Sequence, residues 1–134
     1  MSKKYEAMVL SCIDPRFQKP VHKHLKDKKL TGKFSAFTIA GGSIGVTNNK
    51  FKKWHSTFWE NLETSINLHK INKLIILNHN DCGAAKIVNN NKNFNSRIEN
   101  VIHKKSFNKL KKTLKEKFPK IKVSFKILSL KNAL

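Results

Sequence analysis

The chain has 134 residues, enough for one domain with a single core and too few for two. Its formal charge is +20, from 28 Lys and Arg against 8 Asp and Glu, and Arg16 and Arg97 are the only arginines. Such a charge favours solubility and loose attraction to polyanions, but the scarcity of arginine forks argues against a specific nucleic-acid reader. No apolar run approaches the ~20 residues that a membrane span needs.

Residues 1–6 hold no apolar stretch of signal-peptide length, and neither cysteine lies in a secreted-scaffold pattern. A reducing cytoplasm with two free thiols is therefore expected. Residues 6–11 read as a strand whose apolar stretch, Ala7-Met8-Val9-Leu10, suits a parallel strand buried on both faces. Cys12-Ile13-Asp14-Pro15-Arg16 follows it directly. Residues 20–29 form a short basic helix with Val21 and Leu25 on one side, and a second strand spans 34–40. That strand runs into the glycine-rich turn Gly41-Gly42-Ser43-Ile44-Gly45.

Residues 53–70 carry the clearest helical period, with Trp54, Phe58, Leu62 and Ile66 recurring every four positions. A third strand, 73–78, contains Leu74-Ile75-Ile76-Leu77 and delivers His79-Asn80-Asp81-Cys82-Gly83. A short helix begins at Gly83, and the Asn/Lys-rich stretch 89–95 is a loop. Residues 96–118 are helical, with Ile98, Val101, Ile102, Leu110, Leu114 and Phe118 as the inner face, and Pro119 stops them. Ile121, Val123, Phe125 and Ile127 then alternate with polar residues, as a strand near a sheet edge does.

Strand and helix alternate throughout, so residues 1–134 are expected to form a single α/β domain. Its sheet should be mostly parallel, with four to five strands flanked by helices. Sites in such sheets gather at the carboxyl ends of the strands, where Cys12, the Gly41-Gly42 turn and His79/Cys82 all fall.

Two thiolates and one imidazole fill three positions of a tetrahedral zinc site and leave the fourth open, the ligand count of catalytic zinc. The start of a helix at Gly83 would favour Cys82 as thiolate. Asp14 can accept a hydrogen bond from a zinc-bound hydroxide or take the fourth position itself. Arg16, by pairing with Asp14, would hold that carboxylate ionised and off the metal. Singly, each residue has an ordinary structural role: a buried cysteine is usually a small hydrophobe, and an Asp-x-Arg pair often braces a turn. Together at three strand ends, they favour the metal. A phosphatase loop is excluded because Gln18 stands where its arginine would fall, and no Cys-x-x-Cys serves thiol redox chemistry. His22, His24, His55, His69 and His103 have no ligand spacing.

Cys12-x-Asp14-x-Arg16, followed by His79-x-x-Cys82-Gly83, resembles the signature of the β-class carbonic anhydrases. Phe37-Thr38-Ile39-Ala40-Gly41-Gly42 is similar to the strand and Ala-Gly turn beside that family's zinc, although Thr38-Ile39 replace its frequent Arg-Asn. The resemblance covers roughly residues 5–90. It implies one Zn²⁺ per chain held by Cys12, His79 and Cys82, with Asp14 and Arg16 as the catalytic pair and Gly41 and Gly42 at the substrate pocket. It also implies reversible hydration of CO₂ to bicarbonate by a zinc-bound hydroxide, in a homodimer or larger assembly. Two other readings remain: a related zinc hydrolase of carbonyl sulfide or carbon disulfide, and a catalytically weak zinc-binding domain with a basic polyanion-binding surface.

Overall fold

The computed structural model describes residues 4–90 and 93–130. Four strands, β1 (Ala7–Ser11), β2 (Phe34–Thr38), β3 (Lys73–His79) and β4 (Lys122–Leu128), form one wholly parallel sheet in the order β2-β1-β3-β4. Four helices connect or flank them: α1 (Gln18–Asp27), α2 (His55–His69), α3 (Gly83–Val88) and α4 (Ser96–Lys117). The expected α/β architecture is thus present.

Every residue of β1 is buried, as its unbroken apolar run requires of a central strand with helices on both faces. Val9 shares one core with Phe17, Val21, Leu25 and Ala85, so α1 and α3 cover that face. Met8 and Leu10 point the other way, into a second core with Phe58, Leu62, Leu110 and Leu114 from α2 and α4. β4 alternates exposed and half-buried residues along an outer edge, as its period of two predicts.

Two helix starts differ from expectation for local reasons. α1 starts at Gln18, two residues before Pro20, because proline is tolerated in the first turn, where its missing N–H had no partner. A 3₁₀ turn (Pro15–Phe17) precedes it, capped by the Asp14 carboxylate, which accepts from the Arg16 backbone N–H. α2 starts at His55, after a 3₁₀ turn (Asn49–Trp54) capped by Asn48. Of the expected loop 89–95, residues 91 and 92 lie outside the described residues.

The inner face of α4 needs a larger correction. Leu110 and Leu114 are buried as expected, but Val101 is 60% exposed, and the buried residues of the first half are Glu99, His103 and Ser106. That polar face lies behind the carboxyl ends of β1 and β3.

Candidate metal centre

The strand order reverses between β1 and β3: the chain steps outward from β1 to β2 on one side and continues to β4 on the other. The carboxyl ends flanking such a switch point diverge and leave a crevice. Ser11 is in register with Leu77 and Thr38, so Cys12, the residues after β2 and the end of β3 reach one edge together.

Sγ of Cys12, a ring nitrogen of His79 and Sγ of Cys82 lie within 4.8 Å of one another, and all three residues are buried. His79 Nδ1 is 2.7 Å from the Asn80 carbonyl oxygen, a contact that puts the proton on Nδ1 and leaves Nε2 as a bare acceptor. Phe17 packs on the ring at a centroid distance of 4.7 Å and holds its plane. The imidazole is 0% exposed, and its Nε2 is the one buried side-chain nitrogen or oxygen among the described residues with no hydrogen-bond partner. A buried orphan lone pair beside two thiols is costly on its own and is what a metal ligand requires.

The sulfurs point the same way. The Cys82 side chain, against burial and helped by the backbone N–H groups of Asp14 and Gly41, lowers the pKa of the Cys12 thiol to about 4. Its thiolate in turn pushes the buried Cys82 far up, outweighing the N–H groups of Ala85 and Ala84 at the start of α3. The N–H groups at the start of α3 act on Cys82 in the expected direction, but two adjacent thiolates oppose each other, so the metal-free pair resists losing its second proton. A dication between the sulfurs would stabilise both thiolates.

Arg16 organises the rim. Its Nε and Nη2 donate to the two oxygens of Asp14 at 3.1 and 2.7 Å, a bidentate pair. That pairing holds the Asp14 carboxyl below the usual carboxylate range. Asp14 Oδ2 remains 3.8 Å from His79 Nε2, and its side chain is 14% exposed, so it stands between solvent and the three donors. Nη1 and Nη2 of Arg16 also donate to the side chain and the carbonyl of Asp81.

Gly41 and Gly42 are both buried in left-handed conformations. The Gly41 N–H donates to Cys12 Sγ at 3.3 Å, and a Cβ there would sit 2.7 Å from that of Ala84. A Cβ on Gly42 would fall 2.5 Å from Asn78 Oδ1. These glycines therefore let the turn close over the Cys12 sulfur and over the end of β3.

The chain matches the family described as "Putative carbonic anhydrase" over residues 1–127. It belongs to that family. Uncharacterized proteins of Rickettsia conorii and Rickettsia bellii are each 32% identical over 117 residues, or 87% of this chain. The chain spans 63% of the length of the first and 71% of the second. The fold is similar to the crystal structure of the β-carbonic anhydrase CafA of Aspergillus fumigatus, with a TM-score of 0.64 at 12% identity, covering 98% of this chain and 74% of that one. It is also similar to β-carbonic anhydrase isoform I of Trichomonas vaginalis, with a TM-score of 0.56 at 13% identity, covering 99% and 81%. Among the described residues no helix is long and apolar enough to cross a membrane, and both cysteines are free thiols.

Sequence reasoning missed the supports of the site. Gln18 Nε2 donates to the carbonyls of Cys12 and Asp14 at 3.0 and 2.8 Å, pinning the loop that carries both side chains. Glu99 accepts from the backbone N–H groups of Asp81 and Cys82, each at 2.9 Å. Neither has a recognisable motif. A signal for Glu99 existed, however: stepping back from Leu114 and Leu110 at helical spacing lands on Ser106, His103 and Glu99.

Proposed function

We propose that this chain binds one Zn²⁺ through Cys12 Sγ, His79 Nε2 and Cys82 Sγ and catalyses the reversible hydration of CO₂ to bicarbonate and a proton. The observation that carries the reading is His79 Nε2, buried, without a hydrogen bond, and aimed at a pair of thiols. Family membership and the β-carbonic-anhydrase-like fold support the choice of reaction.

When bound, zinc supplies Lewis acidity that brings a water's pKa to about 7. The rest of the chemistry falls to the chain's own groups. Cys12, His79 and Cys82 supply three donors and leave one position for a small reactant. Arg16 keeps Asp14 ionised and turned to the guanidinium, so the carboxylate serves as a hydrogen-bond acceptor at the mouth and stays out of the metal's open position. Gln18 holds the Cys12 and Asp14 carbonyls, and with them the distance between ligand and acceptor. Phe17 presents an apolar ring against His79, which excludes water from that side of the ligand.

The test is stopped-flow CO₂ hydration near pH 8 on protein carrying one zinc per chain. A rate well above the buffer blank and abolished by chelation is expected. Full zinc occupancy with no acceleration would sink the anhydrase reading and leave the metal site.

A further inference from the structure

The polar face of α4 forms one continuous hydrogen-bonded chain behind the metal centre, and its proton positions can be assigned. Asn78 Nδ2 has two hydrogens and two partners, Ser43 Oγ at 2.9 Å and His103 Nδ1 at 2.9 Å, while its Oδ1 accepts from the Ser43 N–H. His103 Nδ1 is therefore the acceptor, and the ring's hydrogen is on Nε2, 3.1 Å from Glu99 Oε2. Ser43 Oγ, already accepting from Asn78, donates to Ser106 Oγ at 2.7 Å, which donates to the His103 carbonyl at 2.7 Å. His103 is 0% exposed and Glu99 4%.

The chain ends on the carboxylate of Glu99, which receives three donors. The Asp81 N–H reaches Oε1, while the Cys82 N–H and His103 Nε2–H reach Oε2. Asp81, in the left-handed region at φ 56°, turns the backbone here between β3 and α3. Among the described residues no main-chain carbonyl accepts from those two N–H groups, and Glu99 takes that place from another helix.

We infer that Glu99, aligned by His103, is a positioning residue for the metal ligand Cys82, acting through the backbone N–H groups of Asp81 and Cys82. The inference rests on the zinc reading above and extends it to residues in none of its motifs. A buried carboxylate fits the position because every neighbour is a donor. An amide fits badly, since either orientation turns an NH₂ group toward a donor and leaves one N–H opposed. Partners of this kind orient a ligand and set its affinity for metal.

The test uses Co²⁺ as probe on the full chain. Its affinity is measured by competition with a chromophoric chelator, and its environment by the thiolate-to-cobalt charge-transfer absorption. Glu99→Gln should weaken binding by about tenfold or more and alter the thiolate band. Leu114→Ala, a core truncation lower on the same helix, should lower Tm yet leave affinity and spectrum at wild-type values. His103→Asn, too short to reach Glu99, should shift affinity and band the same way by a smaller factor, and it serves should Glu99→Gln not fold. Wild-type affinity and spectrum in Glu99→Gln or in His103→Asn would overturn the inference. So would an affinity loss in Leu114→Ala matching that in Glu99→Gln, since general loosening would then explain both. Cys82→Ser separates the two levels: undiminished cobalt affinity there would refute the ligand assignment itself, whatever the Glu99 variants do.

Discussion

Arg16 Nη1 lies 2.9 Å from Asp81 Oδ2, a bond across 65 positions of sequence that ties the loop of Cys12 to the loop of Cys82. The same guanidinium grips Asp14 bidentately, so one side chain links both thiol-bearing loops and sets the orientation of the carboxylate at the mouth. Asp81 is shared with Lys86 at 2.8 Å, and the two cations hold its carboxyl below the usual range, Lys86 more than Arg16.

Removing Arg16 frees Asp14 to turn toward the metal's open position. Arg16→Ala should lower CO₂ hydration by about tenfold or more with zinc content unchanged. Asp14→Ala should do likewise, and the double variant should be no worse than the poorer single one, because the two side chains act as a unit. Steady-state rates with parallel metal analysis decide this. Additive losses would show that the residues act separately.

His79→Ala and Cys82→Ser should each remove most of the zinc. Zinc that binds only the folded chain at a hundredfold excess over its Kd stabilises by about 2.7 kcal/mol, so a chelator should lower the wild-type Tm by several degrees. Calorimetry with and without chelator should show that shift in the wild type and none in His79→Ala. Full zinc occupancy in His79→Ala would contradict the donor set.

Two glycines on either side of the centre should respond oppositely to alanine. Gly41 has φ +79°, and an added Cβ meets Ala84 Cβ at 2.7 Å and Ile44 Cβ at 3.1 Å. Gly41→Ala should destabilise by about 1–3 kcal/mol and pull the N–H away from the Cys12 sulfur. Gly83 opens α3 with nothing within 4 Å of a new Cβ, so Gly83→Ala should stabilise by about 0.4–1 kcal/mol. Urea denaturation of the metal-free variants measures both.

Burial holds His103 below the ordinary histidine value, against the raising influence of Glu99. His79 also lowers it slightly, and Cys12 slightly raises it. Its folded pKa is depressed, so its contribution to stability is complete above the unfolded value of about 6.5 and is lost as pH falls through the folded one. Metal-free wild type should therefore lose stability on acidification from about pH 6.5 more steeply than His103→Asn. His79 is common to both proteins and drops out of the comparison. Equal slopes in the two denaturation series would show that His103 does not carry the difference.

The candidate site was legible because each of its motifs is local. Cys12-x-Asp14-x-Arg16 and His79-x-x-Cys82 each sit in one loop after an apolar run, and strand ends in a parallel sheet share an edge. The bracing behind it was hidden for the opposite reason. Glu99 bonds residues 17 and 18 positions away, and Ser106 bonds Ser43 across 63, with no spacing that marks either contact. His103 looked like one more unplaced histidine, and the apolar Val101, which is exposed, drew attention off the buried polar residues of α4. The buried face there is polar because the backbone N–H groups of the Cys82 loop need an acceptor more than the core needs another methyl group.

Periodicity and motif spacing by themselves determined the alternation of strands and helices and the two short motifs at strand ends, since each follows from residues within a few positions of one another. Only the tertiary structure decided the strand order, the closeness of Cys12 to Cys82, the reach of Arg16 to Asp81 and the carboxylate beneath Cys82. All four depend on distances between segments remote in the chain, which packing sets and local sequence does not encode.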